Sequence, residues 1–290
     1  MTFRRVTPIG LQLDAACVRA VQLRWSRNGW DVAASADVRL PPGLAADATA
    51  HVVGGVLQRC GFIGRDLRLL LDDRCVATDV LEKAPADDEE LARCIADALH
   101  VSADALQFTA WTAPSLPGRA FVATLPHTAA YDAIRPFERC GFDVTGLFAP
   151  MTAVSRLVRV FERPVAVLRC GEAANSLTLA ETGSVIYHRL LDTPGGLRPD
   201  NRRGLVRLLE EVQDTLTCVP RSFGGITVQR VLVSGELAEP PALDSLLAAT
   251  PLQLQPLARC ASAELAMRLM EALPSRFDLA LGLALLEEEA

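Results

Sequence analysis

The sequence holds few of the features that announce chemistry. Its histidines, His51, His100, His127 and His188, are scattered. The eight cysteines, Cys17, Cys60, Cys75, Cys94, Cys140, Cys170, Cys218 and Cys260, never approach Cys-x-x-Cys spacing. That excludes a zinc ribbon and a dense disulfide framework; thiols among apolar neighbours read as small buried hydrophobes in a reducing compartment. Basic residues form no stripe and the net charge is −6, so the electrostatic footprint of a nucleic-acid binder is absent. The segment after Arg4-Arg5 is short and broken by Gln12, Asp14 and Arg19, which reads as neither a signal peptide nor a membrane span. No catalytic constellation emerges from residue spacing.

What is present is apolar pattern. Half of the 290 residues are hydrophobic, enough for one large core or two modest ones, and a two-lobed globular chain is expected. Strands are predicted at 7–13, 18–25 and 30–40, turning at Asn28-Gly29, with a helix over 44–60 stopped by Gly61. A strand at 67–71 completes this unit. A second pattern begins with a strand at 75–81. Asp87-Asp88-Glu89-Glu90 suits a helix N-terminus, where carboxylates oppose the positive end of the macrodipole. Leu91, Ile95, Ala98 and Leu99 form its apolar face. Strands at 105–112 and 119–125 follow, joined by the turn Pro114–Gly118.

A helix over 128–140 ends in Arg139-Cys140-Gly141-Phe142, matching Arg59-Cys60-Gly61-Phe62 at the earlier helix end. The match is either a duplicated transition or the same capping solution used twice. A strand at 144–148 and a helix at 150–160 come next. From Pro164 the opening pattern recurs, with strands at 165–170, 176–181 and 184–191 and a turn at Thr182-Gly183. Leu205, Leu208, Leu209, Val212, Leu216 and Val219 then make one helical stripe. A strand at 231–233, a turn at Ser234-Gly235-Glu236 and helices near 241–249, 262–272 and 277–287 close the sequence.

A three-stranded meander plus helix, occurring twice with a small module inserted in the first half, resembles actin-like ATPases of the FtsA and PilM branch. Four segments carry the resemblance in the family's order. They are Gly10–Leu23, Val165–Leu190 followed by Gly195-Gly196, Val231–Gly235 with Pro240–Leu247, and Phe277–Leu285. It implies an α/β, actin-like (ribonuclease H-like) two-lobed fold with a small inserted α+β module. The first lobe is expected at 1–71 and 127–163, the strand–helix–strand–strand module at 72–126, and the second lobe at 164–290.

Nucleotide chemistry in this fold uses hairpin-tip carboxylates to hold magnesium and position water, and glycines that admit phosphates to backbone N–H groups. The family's aspartate position in the opening hairpin is Gln12, and the following glycine position is Asp14. The second aspartate position is Arg169, although Gly171 is kept. The adenosine-side turn keeps Gly235 but has Glu236 where a second glycine is usual. Gly171, Gly195, Gly196 and Gly235 fit either a vestigial nucleotide cleft or ordinary turn chemistry. Arg169 also suits a phosphate bound without magnesium. The resemblance therefore implies a non-catalytic scaffold with no ATP or magnesium cofactor, no metal and no catalytic residue.

The implied partner is the cytoplasmic N-terminal tail of a PilN-like membrane protein, captured between the first lobe and the module as part of a pilus or secretion assembly platform. No nucleic-acid partner is expected. The implied location is the cytoplasm, with the inner membrane reached only through that partner. The corresponding component of the mannose-sensitive haemagglutinin pilus, MshI, and the cytoplasmic part of a type II secretion GspL protein are variants; GspL is expected to continue into a membrane helix. An active ATPase or sugar-kinase-like enzyme and an FtsA-like filament former are the alternatives.

Overall fold

A computed structural model describes residues 6–14, 17–27, 29–85, 87–228, 230–259, 269 and 272–286. Strands β1 (Ile9–Leu13), β2 (Cys17–Ser26) and β3 (Gly29–Arg39) form the opening meander. Helix α1 (Ala46–Arg59) leads to β4 (Asp66–Leu70). Strand β8 (Asp143–Phe148) completes a five-stranded sheet in the order β3-β2-β1-β4-β8. The second lobe repeats the plan with β9 (Val165–Cys170), β10 (Ala174–Glu181), β11 (Ser184–Pro194), β12 (Val231–Gly235) and β13 (Leu254–Pro256), ordered β11-β10-β9-β12-β13. In both sheets the first strand of the meander pairs antiparallel with the second and parallel with the strand that returns after a helix. The duplication read from the sequence is therefore a duplication of sheet topology.

Between β4 and β8 lie β5 (Ala77–Leu81), helix α2 (Asp88–Leu99), β6 (Leu106–Trp111), β7 (Ala120–Pro126) and helix α3 (His127–Arg139). The three strands make a separate antiparallel sheet, β5-β7-β6. Asp87 caps α2 by accepting a hydrogen bond from the Glu90 amide at 2.9 Å, as the acidic run implied. Leu91 and Ile95 are buried against this sheet with Ala96 in place of Ala98.

The two Arg-Cys-Gly-Phe helix ends share one geometry. Cys60 and Cys140 have nearly the same φ and ψ (−84°, 3° and −83°, 3°), and Gly61 and Gly141 are left-handed at φ 79° and 80°. The Phe62 and Phe142 amides each donate to a carbonyl five residues back, on Leu57 and Phe137, both at 3.1 Å. This closure satisfies the last helical carbonyls and favours glycine at the left-handed position.

Helix α4 (Pro150–Leu157), the long α5 (Arg202–Ser222), α6 (Ala242–Leu247) and α7 (Asp278–Ala284) cover the sheets. The predicted stripe on α5 is buried at Leu205, Leu208, Leu209, Val212 and Val219, and partly buried at Leu216. One apolar cluster joins the lobes: Val21 and Leu23 of β2, Val154 and Leu157 of α4, Val165 and Val167 of β9, and Leu279 to Ala284 of α7. Helix α7 packs on β1 and α4, where added methyls at Gly10 and Gly282 would overlap the Ala280 and Ala153 carbonyl oxygens.

Several predicted bounds move. The strand expected from Cys75 begins at Ala77, because Asp72 accepts from the Arg74 amide and turns Asp73–Cys75 into a 3-10 helix. Helix α4 stops at Leu157 rather than 160, and α7 at Ala284 rather than 287. Strand β13 was not predicted; a short apolar stretch between Pro251 and Pro256 has too few residues to show a period. Asn28, Ala15, Ala16, Cys260 and nearly all of the helix expected at 262–272 fall outside the described residues. Among the described residues no helix is long and apolar enough to cross a membrane.

Candidate functional site

The interlobe cleft is built from hairpin tips. Strands β1, β2 and β3 place Gln12 opposite Arg19 and Arg19 opposite Asp37, so three polar side chains form one cross-strand row. Gln12 Nε2 donates to Asp14 Oδ2 at 2.8 Å, while Gln12 Oε1 is buried without a hydrogen-bond partner among the described residues. Arg19, only 5 % exposed, lies 3.7 Å from Asp14 and 3.4 Å from Asp37. Its Nη2 also donates to Glu236 Oε1, on the residue after β12 in the other lobe. Asp37 is held in turn by Arg276 Nε at 2.6 Å. Burial raises the Glu236 carboxyl above its ordinary range, with the Arg19 guanidinium opposing that shift.

Arg169 faces a second buried cluster. Its Nη1 lies 2.8 Å from Asp73 Oδ2, with the two side chains 7 % and 1 % exposed. His188 Nε2 stands 3.5 Å from Asp73 Oδ1, and His188 Nδ1 is 2.9 Å from Thr178 Oγ1. Burial lowers the His188 pKa, Asp73 opposes that and Arg169 adds to it, so the imidazole is neutral near pH 7. The arginine considered for a lone phosphate thus spends its charge on an internal carboxylate.

The four glycines assemble at the tip of the second sheet. Gly235, at φ 86°, pairs with Cys170, and an added methyl would overlap the Cys170 carbonyl oxygen. The Gly196 amide donates to the Gly171 carbonyl at 2.8 Å, and a Cβ on Gly195 would stand 2.5 Å from the Ala174 nitrogen. These close approaches of backbone to backbone account for the glycines by turn packing. A magnesium triphosphate requires carboxylates facing the metal and positive or N–H groups facing the phosphates. This cleft has the Gln12 amide bonded to Asp14, Arg169 paired with Asp73, and Asp37, Glu172 and Glu236 in ion pairs with Arg19, Arg39 and Arg276.

Sequence reasoning singled out Gln12, Asp14, Arg169 and Glu236 but missed Arg19, Asp37, Asp73 and His188, the residues they touch or share a cluster with. A signal existed: Arg19 interrupts a strand whose residues Cys17 to Leu23 are all buried.

A second concavity, about 1160 Å³, lies between the module, β8 and α4. Gln107, Thr109 and Trp111 line it from β6, Leu147 and Phe148 from β8, and the β10–β11 turn at Thr182–Ser184 from the second lobe. Strands β6 and β8 each end their sheets. At one end Arg68 and Arg156 donate to the Leu283 and Leu285 carbonyls at 3.1 and 3.0 Å, capping α7.

No protein-family model and no curated protein matches this chain. Solved structures do. A chain of a PilM–PilN type IV pilus biogenesis complex superposes with a TM-score of 0.70 at 20% identity, over 97% of this chain and 98% of that one. The cytoplasmic domain of EpsL, an inner-membrane component of the Vibrio cholerae type II secretion system, gives 0.54 at 14% identity over 97% and 95%. A Bacteroides thetaiotaomicron protein with an actin-like ATPase fold and unknown function gives 0.50 at 10% identity over 92% and 96%. The chain has the actin-like α/β fold.

Proposed function

We propose that this protein is a non-catalytic scaffold of a type IV pilus or related secretion machine that captures the cytoplasmic tail of a PilN-like membrane protein. The observation that carries the reading is the groove between the module and the first lobe. It joins an aromatic and aliphatic lining to two sheet edges, β6 and β8. An extended segment laid along such an edge gains main-chain hydrogen bonds, and its alternate side chains enter pockets. The PilM-like fold supports the choice of partner. The charge pattern of the cleft, with Arg169 matched by Asp73 and Arg19 by Asp14, Asp37 and Glu236, supports the absence of ATP chemistry. Membrane contact in this reading passes through the partner, and the protein works in the cytoplasm.

The test is fluorescence anisotropy with a labelled synthetic peptide of the N-terminal cytoplasmic residues of the PilN-like protein encoded beside this one. Wild type binds it. Thr109→Arg, which places a long charged side chain from the exposed face of β6 into the groove, weakens binding at least tenfold with unchanged circular dichroism. No binding by wild type refutes the reading. Calorimetry with Mg-ATP gives no heat; micromolar, magnesium-dependent binding would restore the ATPase alternative.

A further inference from the structure

The cleft and the groove lie in one two-lobed frame, and each is walled by both lobes. We propose that Arg19 and Glu236 form an ionic clasp that sets the angle between the lobes without any ligand, and thereby sets the width of the tail-binding groove. The binding part of this inference rests on the tail-capture reading above; the clasp itself does not.

Arg19 belongs to β2 of the first sheet, and Glu236 follows β12 of the second. Their side chains meet across the cleft, with the arginine 5 % and the glutamate 34 % exposed. The arginine is aimed by its own lobe: Asp14 and Asp37 flank it at 3.7 and 3.4 Å, and little rotamer freedom remains. A guanidinium flanked in this way is pre-organised for a third carboxylate, which lessens the entropy lost on pairing. Arg276, which precedes α7 in the second lobe, holds Asp37 of β3 at 2.6 Å, a second ion pair between the lobes that the Glu236 variants leave in place. In an actin-like frame with both hairpin tips at the cleft, any group bridging the tips restrains the lobes. Here the bridge is made of side chains.

Groove width follows from the same geometry. Two of its walls belong to the module and the first lobe, and a third is the β10–β11 turn of the second lobe, Thr182–Ser184. Rotation of the lobes moves that turn relative to β6 and α4. Arg19 and Glu236 are therefore positioning residues for the tail: they act on the groove without touching its occupant. Electrostatic restraint of this kind weakens with salt to the extent that its partners are exposed, and Glu236 is the exposed partner.

The experiment reads lobe separation and tail affinity in the same samples. Spin labels on the exposed Cys60 of the first lobe and Cys218 of the second, with Cys75, Cys94, Cys140 and Cys260 changed to serine, report inter-lobe distance by pulsed electron resonance. Glu236→Gln leaves Arg19 with Asp14 and Asp37 and is expected to fold; it broadens the distance distribution. Glu236→Lys, which sets like charges across the cleft, broadens it further. The tail peptide binds each variant about tenfold or more weakly than wild type, within the usual range for coupled sites. Glu236→Asp restores part of both. A distance distribution in Glu236→Lys identical to wild type overturns the clasp. Broadened distances with wild-type tail affinity overturn the coupling to the groove. Failure of the wild type to bind the tail defeats the tail-capture reading alone, since the distances still judge the clasp.

Discussion

The Asp73–Arg169 pair gives the sharpest energetic expectation. Both groups are almost fully buried and 2.8 Å apart, and at an effective dielectric near 20 their attraction is about 6 kcal/mol. Desolvation opposes it by several kcal/mol per ion, so the intact pair adds little net stability. Removing one partner strands the other charge. Arg169→Met and Asp73→Leu are each expected to lower unfolding free energy by about 3–5 kcal/mol, and the double variant to return within about 1–2 kcal/mol of wild type.

His188 adds a pH signature. Burial and then, more weakly, Arg169 hold its pKa down while Asp73 holds it up. Without Arg169 the imidazole pKa is held down less, although burial still outweighs Asp73. A depressed folded-state histidine pKa costs stability as pH falls through the unfolded value, about 6.5, toward the folded one, and the cost is smaller where the pKa is depressed less. The Arg169→Met deficit should therefore shrink as pH falls toward about 5.5, while the Asp73→Leu deficit should not. Urea unfolding followed by tryptophan fluorescence and circular dichroism at about pH 8 and about pH 5.5 measures both. Additive single and double variants, or single deficits under about 1 kcal/mol, would refute the argument.

Three further outcomes follow from buried groups elsewhere. Burial pushes the Asp278 carboxyl up to about 8, against hydrogen bonds from Ser234 and the Gly235 amide. Its folded pKa is raised, so its contribution is complete below the ordinary carboxylate range and is lost toward about pH 8, at about 1.4 kcal/mol per unit. Asp278→Asn removes that slope, and its stability relative to wild type should grow between about pH 5 and about pH 8 in urea melts. Gly10→Ala, which forces a methyl into the Ala280 carbonyl and the Leu283 side chain, should lower the urea midpoint by an amount equal to roughly 1–3 kcal/mol. A disulfide reagent should label exposed Cys60, Cys75 and Cys218 in the native protein. It should spare Cys170, whose thiol burial pushes up to about 12, and the buried Cys17 until the chain unfolds.

Much of the fold was legible because its determinants are local. Alternation of apolar residues gave both meanders, the acidic run marked the start of α2, and the paired Cys-Gly-Phe endings gave one helix termination twice. Bounds slipped where a side chain rewrote the backbone locally, as Asp72 did before β5. Strand β13 escaped because three residues carry no period. The site was half legible: Gln12, Asp14, Arg169 and Glu236 stood out as departures from a family pattern, without any indication of what they contact.

By itself, then, the sequence determined most of the secondary elements and their duplicated order, since each depends on sterics and polarity within a few residues. Only the tertiary structure decided that Arg169 meets Asp73 and Arg19 meets Glu236, partners 96 and 217 positions apart. A charge in a strand states that a counter-charge is needed once it is buried, but which carboxylate supplies it depends on how two sheets and an inserted module pack, and no periodicity encodes that.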